Sequence, residues 1–311
     1  MPASSSAPLT GVFPVLPTPF KPDGSPDVAS LRNLARYLLA AGVDGITYPG
    51  VASEVGQLTR EERQALLGVV LEEVAGRCPV IAGVSHPDLV VSAELAADAA
   101  RAGASALMVA APVDRKDVEG QVAYFRGMAE AAGSTPIMLQ NVPPPAGAGL
   151  DPAVLLQVLR AVPAIRYVKE EALPSGQRLT ALREARLPSL QGVFGGAGGR
   201  YITDEIRRGA AGTMPAIELA EVHVALWSAH RHGDADAVRR IFTRMLPILN
   251  VQAVFRWALT KYVLQSRGLI AHNGQRAAGP SLDGFDRAEV DSFLADVADL
   301  LLPASRLPRL G

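Results

Sequence analysis

Short apolar runs alternate along the chain with segments whose apolar residues recur every three or four positions. The runs begin near Val12, Gly45, Val80, Ala106, Pro136, Ile165, Leu190 and Gly212. Most are spaced by roughly 30 residues, the length of one βα unit. The segments between them predict helices over 28–41, 59–75, 88–102, 118–132, 151–159, 175–185 and 202–208. Thr59 and Glu62 have the spacing of a capping box, and Gly42, Gly76, Gly103 and Gly209 follow helical patterns as closing residues. Runs such as 46–48, 80–83 and 106–109 are apolar on both faces, as parallel strands covered by helices are. Eight alternating units predict a (β/α)8 TIM barrel over 11–215. A doubly wound open sheet is the alternative, but GxGxxG is absent after the first strand. Beyond Gly212 the rhythm stops. Helical patterns over 218–232, 234–264 (interrupted near Pro247) and 286–301 predict a C-terminal helical extension, 216–311, packed on the barrel. Residues 1–10 are expected to be a flexible N-terminus.

Composition narrows the function class. Of 311 residues, 49% are hydrophobic and 20% charged, which suits a globular enzyme and excludes a disordered chain. A net charge of −1 gives no field to attract nucleic acid or an anionic membrane. The single cysteine, Cys78, cannot form an internal disulfide or complete a zinc motif, and reads as a small buried residue. The first residues have neither the basic nor the apolar region of a secretory signal, and no apolar run reaches membrane-spanning length. A cytoplasmic location is the expectation.

In such a barrel, chemistry gathers at the C-terminal ends of strands. The sixth strand ends in Lys169-Glu170-Glu171. A lysine at the end of an apolar strand is costly to bury as a charge, and its neutral amine is a nucleophile toward carbonyls. Strand alternation puts Lys169 and Glu171 on one side and Glu170 on the other. Glu171 is then either a proton carrier or an ion-pair partner of the lysine. The run from Gly195 to Gly199 exposes backbone N–H groups, so Gly196 and Gly198 are candidate contacts for a carboxylate or phosphate; a plain tight turn is the competing reading. His86 could polarise a substrate oxygen or serve as a local hydrogen-bond partner. His223, His230 and His232 lack metal-site spacing and read as surface or interface.

Taken together, these residues resemble the dihydrodipicolinate synthase / N-acetylneuraminate lyase superfamily of class I Schiff-base lyases. The resemblance runs from Gly11-Val-Phe-Pro-Val-Leu-Pro-Thr-Pro-Phe20 through Gly42-Val-Asp-Gly45, Leu58-Thr-x-x-Glu-Arg63 and Asn141-Val-Pro143 to Lys169 and the helical C-terminus. It implies a Schiff base to a small 2-oxo acid, no metal or organic cofactor, and a homo-oligomer, dimer or tetramer. It also implies that residues 51–53 bind the substrate carboxylate, Val51 and Ala52 through backbone and Ser53 through its hydroxyl.

The departures point to a subfamily. Where the superfamily usually has two hydroxyl residues and a glycine, this chain has Val51, Ala52 and Ser53. Gln140 replaces a tyrosine, Pro145 stands where synthases carry a carboxylate-binding arginine, and no tyrosine matches near Pro112-Val-Asp114. These changes argue against lysine biosynthesis. The L-2-keto-3-deoxyarabonate dehydratases resemble the chain better. They share the glutamine, here Gln140 in a substrate-binding position, Ser53-Glu54, Ser85-His86 and a glutamate two residues after the lysine, here Glu171. The implied activity is a hydro-lyase acting on a 2-keto-3-deoxy sugar acid. A pyruvate-dependent aldolase and a non-catalytic 2-oxo-acid binder are the competing readings, the latter suggested by the loss of hydroxyls at Val51 and Ala52.

Overall fold

The eight apolar runs become eight parallel strands: β1 Gly11–Val12, β2 Ile46–Thr47, β3 Val80–Gly83, β4 Ala106–Ala110, β5 Ile137–Asn141, β6 Ile165–Glu170, β7 Gly192–Gly195 and β8 Gly212–Thr213. The computed structural model describes residues 7–115 and 117–310. From β2 to β8 each strand pairs with its sequence neighbour, and β1 pairs with β8. The remaining seam, β1 to β2, is closed by a bridge between Val15 and Thr47. Leu16 N–H donates to the Thr47 carbonyl at 3.0 Å and Thr47 N–H to that of Pro14 at 2.9 Å. The strands therefore form a closed barrel. Side chains that alternate inward fill its lower part: Phe13, Ile81, Met108, Met138, Tyr167, Phe194 and Met214. Phe13 meets Phe194 edge-on at 5.5 Å between centroids, worth about 0.5–1.5 kcal/mol beyond the buried area.

Helices α1 Val28–Ala41, α2 Arg60–Val74, α3 Leu89–Arg101, α4 Val118–Ala132, α5 Pro152–Ala161, α6 Ser175–Glu184, α7 Ile202–Arg207 and α8 Ala220–Arg231 form the outer ring. The capping box of α2 is made: Glu62 N–H donates to Thr59 Oγ1, and Thr59 N–H to Glu62 Oε2 at 3.0 Å. Gly42, at φ 77°, closes α1 in the left-handed region open to glycine. Helix α8 packs on α1 and β1, so it completes the ring; the boundary drawn at 216 put this barrel helix in the extension. Leu9, in the stretch expected to be loose, is buried, and its N–H donates to the Tyr167 hydroxyl at 3.0 Å. It closes the bottom of the barrel. Residues 1–6 of that stretch lie outside the described residues.

The extension comprises α9 Ala235–Phe255, α10 Trp257–Ser266 and α11 Gly284–Asp296. Its break falls at Arg256 (φ 44°), not at Pro247, which α9 carries within it. That turn swings Trp257 inward, where its indole N–H donates to the Val51 carbonyl at 2.9 Å. One turn on, the Lys261 ammonium forms a fully buried ion pair with Glu54. The second carboxylate oxygen of Glu54 accepts from the N–H groups of Arg276 (2.7 Å) and Ala277 (2.6 Å). The extension is thus fastened to the turn that follows β2. No helix among the described residues is long and apolar enough to cross a membrane.

Candidate active site

A cavity of about 300 Å³ opens at the C-terminal ends of the strands and is lined by Val51, Ala52, Lys169, Glu171 and Gly198 among others. Lys169 is only 4% exposed. The regularity of β6 settles the facing: Lys169 and Glu171 point to this cavity, with Nζ 3.5 Å from Oε1. Glu170 points away and is buried between Asn141, whose amide donates to Oε2 at 2.9 Å, and Arg178, 3.3 Å from Oε1. Burial pushes the Glu170 carboxyl up, with Asn141 and Arg178 opposing. Asn141 also accepts from Leu150 N–H at 2.7 Å. Asn141 therefore clasps the end of β6 and the chain at Leu150 from outside the cavity, while Val142 and Pro143 of the same motif line it.

Three groups hold the Glu171 carboxylate. Gln140, paired with Lys169 across the β5–β6 register, donates its amide to Oε2 at 2.7 Å. Ala197 N–H donates to Oε1 at 3.2 Å, the atom that also faces Lys169. Gly196 lies under the carboxylate: a Cβ there would stand 2.5 Å from Glu171 Cγ. Gly196 lines neither this cavity nor its neighbour. The glycine run thus cradles a protein carboxylate at Gly196 and Ala197, while Ala197 and Gly198 line the cavity. His223 supports the run from below. It is buried, where a surface or interface position was expected, its Nδ1 lies 2.9 Å from the Leu219 carbonyl, and burial pushes its imidazole down to about 4.

Two expected contacts are placed otherwise. Ser53 is fully buried and outside the cavity lining. Its hydroxyl accepts from Gly50 N–H at 2.8 Å and donates to the Leu16 carbonyl. With donor and one acceptor position used, it fastens the β2 turn to the chain after β1 and is not presented to a ligand. Val51 and Ala52 do reach the cavity. They begin a 3-10 turn, Val51–Ser53, so the turn itself leaves their N–H groups unused. His86 and the side of Gln140 away from Glu171 line an adjoining cavity of about 460 Å³, which shares Val51 with the first. His86 Nδ1 accepts from Asp88 N–H at 3.0 Å, a local contact at the start of α3.

The extension supplies wall residues that the sequence reading passed over: Gln252, Arg256, Trp257 and Thr260, joined by Arg200 from the end of the glycine run. Gln252, Arg256 and Thr260 are spaced by four, a polar stripe on a helical pattern. That stripe was the available signal; its target was not readable from spacing. Thr260 donates to Glu218 at 2.9 Å, and complete burial pushes the Glu218 carboxyl up to about 7. Among the described residues no cluster of His, Cys, Asp and Glu could hold a metal ion.

The chain matches the model of the dihydrodipicolinate synthetase family over residues 8–294. It is 29% identical over 306 residues to the L-2-keto-3-deoxyarabonate dehydratase of Azospirillum brasilense, covering 97% of this chain and 99% of that protein. A 4-hydroxy-tetrahydrodipicolinate synthase of Pelodictyon phaeoclathratiforme is 31% identical over 269 residues, 85% of this chain and 90% of that one. Among solved structures, the dihydrodipicolinate synthase of Rhodopseudomonas palustris superposes with a TM-score of 0.85 at 30% identity, over 92% of this chain and 97% of that one. A prophage protein of the dihydrodipicolinic acid synthase family from E. coli K12, solved with pyruvate, gives 0.84 at 25%, over 94% and 99%.

Proposed function

The chain belongs to the dihydrodipicolinate synthetase family and is a lyase of that family, and we propose that it removes water from a 2-keto-3-deoxy sugar acid through a Schiff base on Lys169. The observation that carries this reading is the Glu171 carboxylate. It stands 3.5 Å from the Lys169 amine, held by a glutamine at the position where the synthases' tyrosine would be expected. A glutamine amide cannot relay protons at neutral pH, whereas a carboxylate can. The near full-length similarity to a protein named L-2-keto-3-deoxyarabonate dehydratase supports the same choice.

In this mechanism the substrate carboxylate sits on the N–H groups of Val51 and Ala52. Lys169 gives up a proton to solvent and its amine attacks the C2 carbonyl; a proton then returns to that oxygen, which leaves as water and gives an iminium. The iminium withdraws electrons from C3, and Glu171 takes a C3 proton. The electron pair passes into the C2–C3 bond as an enamine. The nitrogen pair then re-forms the C2–N double bond, the C2–C3 pair moves into a new C3–C4 double bond, the C4–oxygen bond breaks, and the departing hydroxyl takes the proton from Glu171 to leave as water. Hydrolysis of the remaining imine frees Lys169. Cytoplasmic residence and a homo-oligomer complete the proposal.

Pyruvate-dependent aldol chemistry is the second reading, favoured by the relatives named synthases. Borohydride trapping with pyruvate, read by mass spectrometry, tests the step the two share: the wild type gains the adduct at Lys169, and Lys169→Ala loses both adduct and turnover while remaining folded. Turnover persisting in Lys169→Ala refutes both. Product analysis across 2-keto-3-deoxy acids then decides between water loss and carbon–carbon cleavage.

A further inference from the structure

The charges lining the active cavity do not balance. Lys169, Arg200 and Arg256 line it as cations, and Glu171 is its single carboxylate. Glu171 is already engaged by Lys169, Gln140 and Ala197. Arg200 is half-buried, yet its Nη1 meets only neutral acceptors, the Leu249 carbonyl at 3.3 Å and Gln252 Oε1 at 3.2 Å. Burial pushes its guanidinium down, with the charge of Arg256 adding to the effect. The other carboxylate that Arg200 feels is Glu218, fully buried, held by Thr260 and pushed up to about 7, so it is a partial counter-charge at most. Arg256 lies over the Trp257 ring, 4.7 Å from its centroid. Neither arginine has an acidic side chain within 4.0 Å among the described residues. Arg256 also holds φ 44°, ψ −111°, a backbone conformation that costs energy in a non-glycine residue.

An unpaired guanidinium in a half-buried place, as that of Arg200 is, is expensive unless a ligand supplies its partner. The carboxylate of a 2-oxo acid leaves one positive charge over, and a second anionic group cancels it. Resting on the Schiff-base reading, we propose that Arg200 and Arg256, with Gln252 orienting Arg200, form a subsite for a distal anion. Within the 2-keto-3-deoxy sugar acids, the substrate class is then those ending in a carboxylate or phosphate. A substrate ending in a hydroxymethyl group would leave both guanidiniums without counter-charge.

The test uses matched probes that differ only at the far end: 2-oxoadipate against 2-oxohexanoate, and 2-oxoglutarate against 2-oxopentanoate. Calorimetric binding is measured on the wild type and on Lys169→Ala, Arg200→Met and Arg256→Met. The diacids bind at least about tenfold more tightly than their matched monoacids, as a charge-assisted hydrogen bond provides. The preference persists in Lys169→Ala, where no imine forms, and shrinks in both arginine variants. Arg256 sits at the exposed rim, so its variant decides the matter if Arg200→Met fails to fold. Equal binding of diacid and monoacid by the wild type overturns the subsite. So does an Arg256→Met variant that weakens both probes equally, since that places the arginine on the shared carboxylate. Failure of borohydride trapping with the diacid preference intact would overturn the covalent mechanism and leave the subsite standing. An ω-phosphorylated 2-oxo acid, run beside 2-oxoadipate, tells which anion is preferred.

Discussion

Gln140 donates its side-chain amide to Glu171 across 2.7 Å, from a β5 position in register with Lys169 on β6. The bond fixes one carboxylate oxygen and leaves the other facing the lysine amine. A carboxylate so oriented is poised to move a proton, and Glu171→Gln separates that role from simple positioning. Borohydride trapping should survive while kcat falls by about 10²–10⁴, the usual weight of general acid–base help. Parallel loss of trapping and turnover would assign Glu171 to holding Lys169 only.

Ser53→Ala tests the reassignment of Ser53 from ligand contact to structural tie. The variant strands the Gly50 N–H and the Leu16 carbonyl in a buried place. Stability should drop by about 1–3 kcal/mol in chemical denaturation. An unchanged midpoint with a raised KM would restore the hydroxyl to substrate binding.

Glu54 and Lys261 predict a non-additive pair. Lys261→Met alone leaves Glu54 buried without its cation and should cost about 3–5 kcal/mol. Adding Glu54→Met should cost less than the sum of the two single changes, and a double-mutant cycle measures the difference. Strict additivity would mean the pair is not coupled.

Two buried carboxylates set a pH dependence of stability. Burial raises both Glu218 and Glu205 from the ordinary 4.5 to about 7. Between those values the folded chain holds protons the unfolded chain has released. Stability therefore falls as pH rises from about 4.5 to about 7, then levels off, by up to about 3 kcal/mol for each group. Glu218→Gln should flatten that part of the profile in denaturation at pH 5 and pH 8. A Glu218→Gln profile parallel to the wild type would rule Glu218 out as a cause.

The barrel and the Lys169–Glu171 pair were legible because both follow from strict periods. Strand alternation alone sets two residues two apart on one face. Ser53 was misread because its identity says only that a hydroxyl is present; the 3-10 turn decides that it points to Leu16. His223 was read as surface or interface from a helix whose buried side depends on α8 joining the ring. Gly196 was read as open backbone, and its real neighbour, Glu171, is set by a tertiary contact. Arg256 stayed out of view because its position depends on a break in the extension, and the break falls at Arg256 where proline had marked Pro247.

The tie between Trp257 and the Val51 carbonyl spans 206 positions of sequence, and that between Lys261 and Glu54 spans 207. Contacts so distant form late, because loop closure must precede them. As the chain leaves the ribosome, all eight strands and Lys169 emerge before the residues that tie down the β2 turn. A nascent chain halted after β8 would carry Lys169 with one wall of its cavity missing. The cavity is then complete only when α10 docks, after every strand of the barrel has been made.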